Sequence, residues 1–140
     1  MKTLSTLIRL AQLALDEKRK IVVALEQKIA EVEAYKASLI AALDEERKRP
    51  PDALEGGLTQ GAYIKATYKK CEQCDAQLAE LARLMDIAQD QIRLAFEDLK
   101  RYEIAAEQRQ LAERRDEKKR ETKMMDEIGS ESQRRKDERS

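Results

Sequence analysis

Histidine and tryptophan are absent from these 140 residues, and there is one phenylalanine, two prolines, four glycines and two cysteines. Without histidine the commonest general base and the commonest metal ligand are both missing. No second Cys-x-x-Cys or histidine pair exists to complete a zinc site with Cys71 and Cys74. A redox reading of that motif needs a strand followed by a helix N-terminus, and both cysteines fall mid-helix, so they read as small buried apolar residues. The glycine-rich EGGLTQG lacks the lysine and the strand of a phosphate-binding loop. Catalysis, metals and cofactors are therefore not expected. No apolar run approaches the roughly 18 residues of a membrane span. The opening MKTLSTLIRLAQLALDEKRK is interrupted by Arg9, Gln12 and Asp16, so it reads as part of the mature fold of a cytoplasmic protein rather than a signal peptide.

What is present is charge, at 40% of residues, carried by 28 basic and 28 acidic side chains. The zero balance argues against a general polyanion binder, and no nucleic acid partner is expected. Ala, Glu, Lys, Leu and Arg dominate, the composition of long helices and coiled coils. Such a chain buries a narrow stripe and leaves the rest wet.

Two stripes are legible. Positions 4, 8, 11, 15, 18, 22, 25, 29, 32, 36, 39 and 43 follow alternating four-and-three spacing and are apolar except Lys18 and Lys36. Positions 64, 67, 71, 74, 78, 81, 85, 88, 92, 95, 99, 102 and 106 repeat the pattern with Thr67 as the one polar member. Between them lies KRPPDALEGGLTQG. Pro50 and Pro51 stop a helix, and Gly56, Gly57 and Gly61 free the backbone to reverse. The expected fold is all-α, a long antiparallel two-helix coiled-coil hairpin in one domain of residues 1–128. It comprises a helix over 3–48, a turn over 49–61 and a helix over 62–128, followed by a disordered tail over 129–140. Pairing residue 48 with residue 60 puts Lys36 near Glu72 and Lys18 near Asp90.

The second stripe stops at Ala106, where the first helix runs out of residues to pair with. Residues 107 to 128 then project as a single charged helix, marginal when isolated and prone to order on binding. Met124, Met125 and Ile128 sit in that segment with no internal partner. Its basic residues, Arg114, Arg115, Lys118, Lys119 and Arg120, interleave with acids. They read as a solvated face or as the surface for a protein of mixed charge. Nearer the turn, Tyr35, Leu39, Ile64 and Tyr68 flank or join the stripes and form a candidate contact surface, while Tyr102 belongs to the core.

The order of these parts resembles the flagellar FliJ family of type III export proteins. The likeness covers nearly the whole chain and is most specific in LKRYEIAAEQRQLAERRDEKKRETKMMDEIGSESQRRK. There an aromatic, here Tyr102, is followed some twenty residues later by Lys123, Met124, Met125, Asp126, Glu127 and an apolar residue, here Ile128. Tyr102 replaces a tryptophan, and Ile128 stands where a larger apolar residue is common.

The resemblance implies a non-enzymatic stalk that binds the hexameric flagellar export ATPase and couples it to the cytoplasmic part of the export gate. It also implies handling of empty export chaperones, in the cytoplasm and peripherally at the inner membrane of the flagellar base. Carried onto this chain, the ATPase-binding residues are Arg109, Arg114, Lys118, Lys123, Met125, Asp126, Glu127 and Ile128, with Met124 beside them. The gate-binding residues are Tyr35, Leu39, Ile64, Tyr68 and Cys71. Three alternatives stay open: the stalk of a virulence-type secretion system, a structural coiled coil that dimerises, and a holdase-like chaperone.

Overall fold

The structure is a computed structural model that describes residues 2–50 and 54–139, with side chains described outside Lys2 and residues 51–58. It contains two helices and, among the described residues, no strand: α1 spans Lys2–Lys48 and α2 spans Leu54–Arg139. The fold is an all-α helical hairpin. Two compact units divide it, Leu13–Phe96 and Met1–Gln12 with Glu97–Ser140.

α1 forms because nothing interrupts it. No glycine or proline lies within it, and Arg47 and Lys48 in its last turn suit the negative end of the helix dipole. It stops where Pro50 excludes the preceding residue from helical geometry, and Arg49 is already bent away. Its last carbonyls do not go unpaired. The Gln60 side-chain amide donates to Glu46 O at 2.6 Å and to Arg49 O at 3.1 Å, so α2 caps α1.

Within Leu13–Phe96 the helices run antiparallel along the two stripes. Every stripe position there is buried or half-buried, and the most enclosed are Leu15, Val32, Leu43, Thr67, Cys74 and Ala88. The register is marked by an ion pair across the seam, Lys36 Nζ to Asp75 Oδ1 at 2.5 Å. That register sets a large residue of α1 against a small one of α2 in four layers, Leu43 with Thr67, Leu39 with Cys71, Val22 with Ala88 and Leu15 with Ala95, while Val32 faces Leu78 and Ile29 faces Leu81. Small partners let the helix axes approach, so a seam only two residues wide still closes. Thr67 is tolerated at 3% exposure because its hydroxyl donates to Tyr63 O, 2.8 Å away. In the other unit the same register puts Ala11 against Leu99, both buried, and Leu4 against Ala106.

Three sequence expectations need correction. The register is shifted: Lys36 meets Asp75, three residues beyond Glu72, and Asp90 pairs with Arg93 on its own helix. Lys18 lies half-buried in the seam with no ion pair among the described residues. The turn is shorter than 49–61, because α2 begins at Leu54 and takes Gly56, Gly57 and Gly61 into the helix. Glycine weakens a helix by about 1 kcal/mol but does not end one unless a positive φ is used, and none of the described glycines has one. The expected role of Pro51 in the turn falls outside the described residues. The segment 129–140, expected as a disordered tail, is helical to Arg139 through Gly129 and Ser130. No proline or left-handed cap stops it there, and Glu131 pairs with Arg135 at 3.7 Å across one turn.

Asp75 raises the Lys36 ammonium above its ordinary value, first through the hydrogen bond and then through its charge. A raised folded value means that the pair stabilises fully below the unfolded lysine value of 10.5 and fades as pH climbs through the higher folded value. Wild type and Asp75→Asn should therefore differ in denaturant stability by a constant amount at neutral pH, and converge at alkaline pH. A Cβ added at Gly61 meets nothing within 4 Å. Gly61→Ala should accordingly raise stability by about 0.5–1 kcal/mol in thermal unfolding.

Candidate functional site

The seam does not stop at Ala106. Arg109 is the next position in the spacing, and it is half-buried, lining a groove with Leu4, Ser5, Ile8, Ala106, Gln110 and Glu113. Its Nε lies 3.9 Å from Glu113 Oε1. Arg109 thus packs against the first turns of α1, and the unaccompanied part of α2 begins at Gln110, three residues later than the expected boundary at 107.

From Gln110 to Arg139 every residue is exposed. The segment is helical because its residues are mostly Glu, Lys, Arg, Gln, Ala and Met, which lose little freedom in a helix. The seam positions that continue the spacing are Glu113, Asp116, Arg120, Lys123 and Glu127, none able to build an apolar contact with α1. Met124, Met125 and Ile128 are 64%, 70% and 55% exposed. Spacings of three and four put both methionines beside Ile128, giving one apolar spot on a charged helix.

Charge in this segment is organised differently from charge in the rest of the chain. Elsewhere acids and bases three residues apart pair, mostly with the acid first, as Asp16 with Arg19 at 3.7 Å, Glu17 with Lys20 at 3.1 Å, Glu80 with Arg83 at 2.5 Å and Asp90 with Arg93 at 3.1 Å. The Arg83 hydrogen bond holds the Glu80 carboxyl below its ordinary value. Between Arg114 and Glu127 no ion pair forms. Of the residues carried over as ATPase-binding, Arg114, Lys118, Lys123, Met125, Asp126, Glu127 and Ile128 therefore share one exposed helical segment. Arg109 stands apart in the groove.

The turn-proximal set is not one surface. Leu39, Ile64 and Cys71 are half-buried seam residues, while Tyr35 and Tyr68 are exposed at 46% and 43%. Tyr68 follows a seam position and lies under the Arg47 guanidinium, 5.3 Å from the ring centroid. Tyr35 precedes a seam position and faces the opposite flank. A two-helix seam separates its flanks by most of a half-turn, so the expected single patch splits in two. Cys74 is buried, Cys71 half-buried, and both are free thiols on the seam.

Sequence reasoning passed over the flank that Tyr35 shares. Ile21, Leu84, Ile87 and Leu94 are exposed in Leu13–Phe96, and each lies just outside the seam on that side. The signal was in the residues preceding seam positions, which on α1 read Leu7, Ala14, Ile21, Lys28, Tyr35 and Ala42. Residues following them, such as Arg19, Glu26 and Glu33, are mostly polar.

Among the described residues no group of three or more Cys, Asp or Glu side chains is arranged to hold a metal ion, and no helix is long and apolar enough to cross a membrane. No protein-family model, no curated protein and no solved structure matches the chain.

Because Met124 and Ile128 touch no core, Met124→Ser with Ile128→Ser should leave thermal stability within about 0.5 kcal/mol of wild type. Leu15→Ala, at 3% exposure in the seam, should cost about 2 kcal/mol or more. Paired denaturation curves check both.

Proposed function

We propose that this chain is a non-enzymatic coupling component of flagellar type III protein export. It binds the hexameric export ATPase through the exposed segment of α2 and links it to the cytoplasmic part of the export gate. Its place is the cytoplasmic face of the inner membrane at the flagellar base, where it also escorts emptied export chaperones. One observation carries the reading: from Gln110 to Arg139 no residue is covered, yet the segment keeps Met124, Met125 and Ile128 together on its surface. Apolar side chains on a helix without a core are accounted for by a partner that covers them. The likeness of Lys123–Ile128 and Tyr102 to the flagellar export family supplies the identity of that partner.

The physical mechanism follows from differential binding. A single helix whose sides differ in charge and polarity, held among ring subunits, stabilises some subunit conformations more than others. By linkage, nucleotide state then biases how the helix is held. The gate-facing surface is assigned to the flank of Tyr35, with Tyr68 and Arg47 on the other side available to a second partner.

A second reading has its own support. The exposed Ile21, Leu84, Ile87 and Leu94 fit a structural coiled coil that pairs two hairpins into a four-helix bundle.

Pull-down of the cognate export ATPase by the full chain and by a chain truncated after Ala106 separates these readings. The coupling reading expects capture by the full chain alone. Equal capture by both would move the contact to the hairpin. No capture, together with a mass that stays dimeric on dilution, would replace coupling with the structural coiled coil.

A further inference from the structure

The exposed segment of α2 carries its charge unevenly around the helix axis, along which residues advance by about 100° each. Arg115, Lys118, Lys119 and Lys123 stand on one side and line a single open groove with Thr122 and Asp126. On the opposite side stand Glu113, Glu117, Glu121, Met124, Glu127 and Ile128, with Arg120 among them and Arg114 at the edge beside Glu121. The first face holds four cations and one carboxylate, while the second holds most of the acids, Arg120, Met124 and Ile128, and Met125 lies between the two beside Lys118. None of the four cations is engaged in an ion pair, so their charge is not neutralised within the chain. The Thr122 hydroxyl is turned back to Lys118 O at 2.9 Å, which leaves the groove between the lysine stems uncrowded.

We infer that the Arg115, Lys118, Lys119 and Lys123 face docks a carboxylate-bearing protein surface. The coupling reading supplies only the name of the protein; the docking chemistry stands without it. Three observations choose a protein over other anions. The cations are spaced by three, four and eight residues, the ridge of a helix, which a partner helix bearing acids at the same intervals meets one for one. A bilayer would need a broad apolar face beside the lysines, whereas Met124 and Ile128 lie on the far side and Met125 alone borders Lys118. A nucleic acid would gain few phosphate contacts and no stacking, since residues 103–140 contain no aromatic side chain.

The test uses the full chain against three defined probes: poly-L-glutamate, phosphatidylglycerol vesicles and a DNA duplex, each titrated at low and at physiological salt. The inference expects wild type to bind poly-L-glutamate, more weakly as salt screens the contact. Lys118→Glu with Lys119→Glu should weaken it by about tenfold or more. The control Lys69→Glu with Lys70→Glu makes the same change in net charge at exposed residues of α2 outside this face. It should stay within about twofold of wild type, and circular dichroism confirms that both variants keep their helix content. Equal weakening by both pairs, no binding of poly-L-glutamate by wild type, or tighter binding of vesicles or DNA that the Lys118 and Lys119 variant abolishes would each overturn the inference. An export ATPase arm run alongside separates the two ideas. If wild type fails to capture the ATPase, the coupling reading falls, and the poly-L-glutamate titration still decides the basic face.

Discussion

Two helices share one seam, and every buried residue among the described residues lies on it. Among the described residues no second layer covers a flank, so the stability of the hairpin rests on how closely one line of side chains can meet another. The chain answers with size. Ala88, Ala95, Cys71 and Thr67 of α2 face Val22, Leu15, Leu39 and Leu43 of α1, and the small partner lets the large one be enclosed. Polar interruptions are confined to places with an outlet. Lys36 reaches Asp75 at the seam edge, Thr67 bonds back to its own helix, and Gln60 closes the end of α1.

The seam was readable because coiled-coil periodicity is local and strict. All the stripe positions inferred from four-and-three spacing are buried or half-buried, including the two lysines. Tyr102 sits on the seam as its spacing required, and so do both cysteines. Register was not readable with the same accuracy. Periodicity says which residues face inward but not which one lies opposite, and the assumed turn displaced Lys36 by three residues, from Glu72 to Asp75. The turn is shorter than glycine content suggests. Gly56, Gly57, Gly61 and Gly129 permit a break without compelling one, and strong helix formers on either side carry the helix through. Proline is different in kind, since Pro50 forbids helical geometry before it, and α1 does end at Lys48.

The candidate site was legible to the extent that it is defined by the seam running out. The loss of apolar residues after Ala106 marked where α2 loses its companion, wrong only in that Arg109 still packs against α1. The turn-proximal set was less legible, because exposure was inferred from proximity to a stripe without asking which flank each residue occupies. Tyr35 and Tyr68 are close in the sequence logic and on opposite sides of the fold. The apolar flank formed by Ile21, Leu84, Ile87 and Leu94 went unseen for the same reason.

One division of labour follows. Residues on the seam hold the hairpin, and the exposed segment of α2 contributes almost nothing to holding it, so its composition is free to answer to something else. Hydrogen exchange of the full chain, alone and with the export ATPase, reads both halves of that statement at once. The account predicts slow exchange along the seam in the free chain, fast exchange beyond Gln110, and new protection on binding concentrated between Arg114 and Ile128. Protection gained along the hairpin, with the segment past Gln110 still exchanging freely, would contradict it.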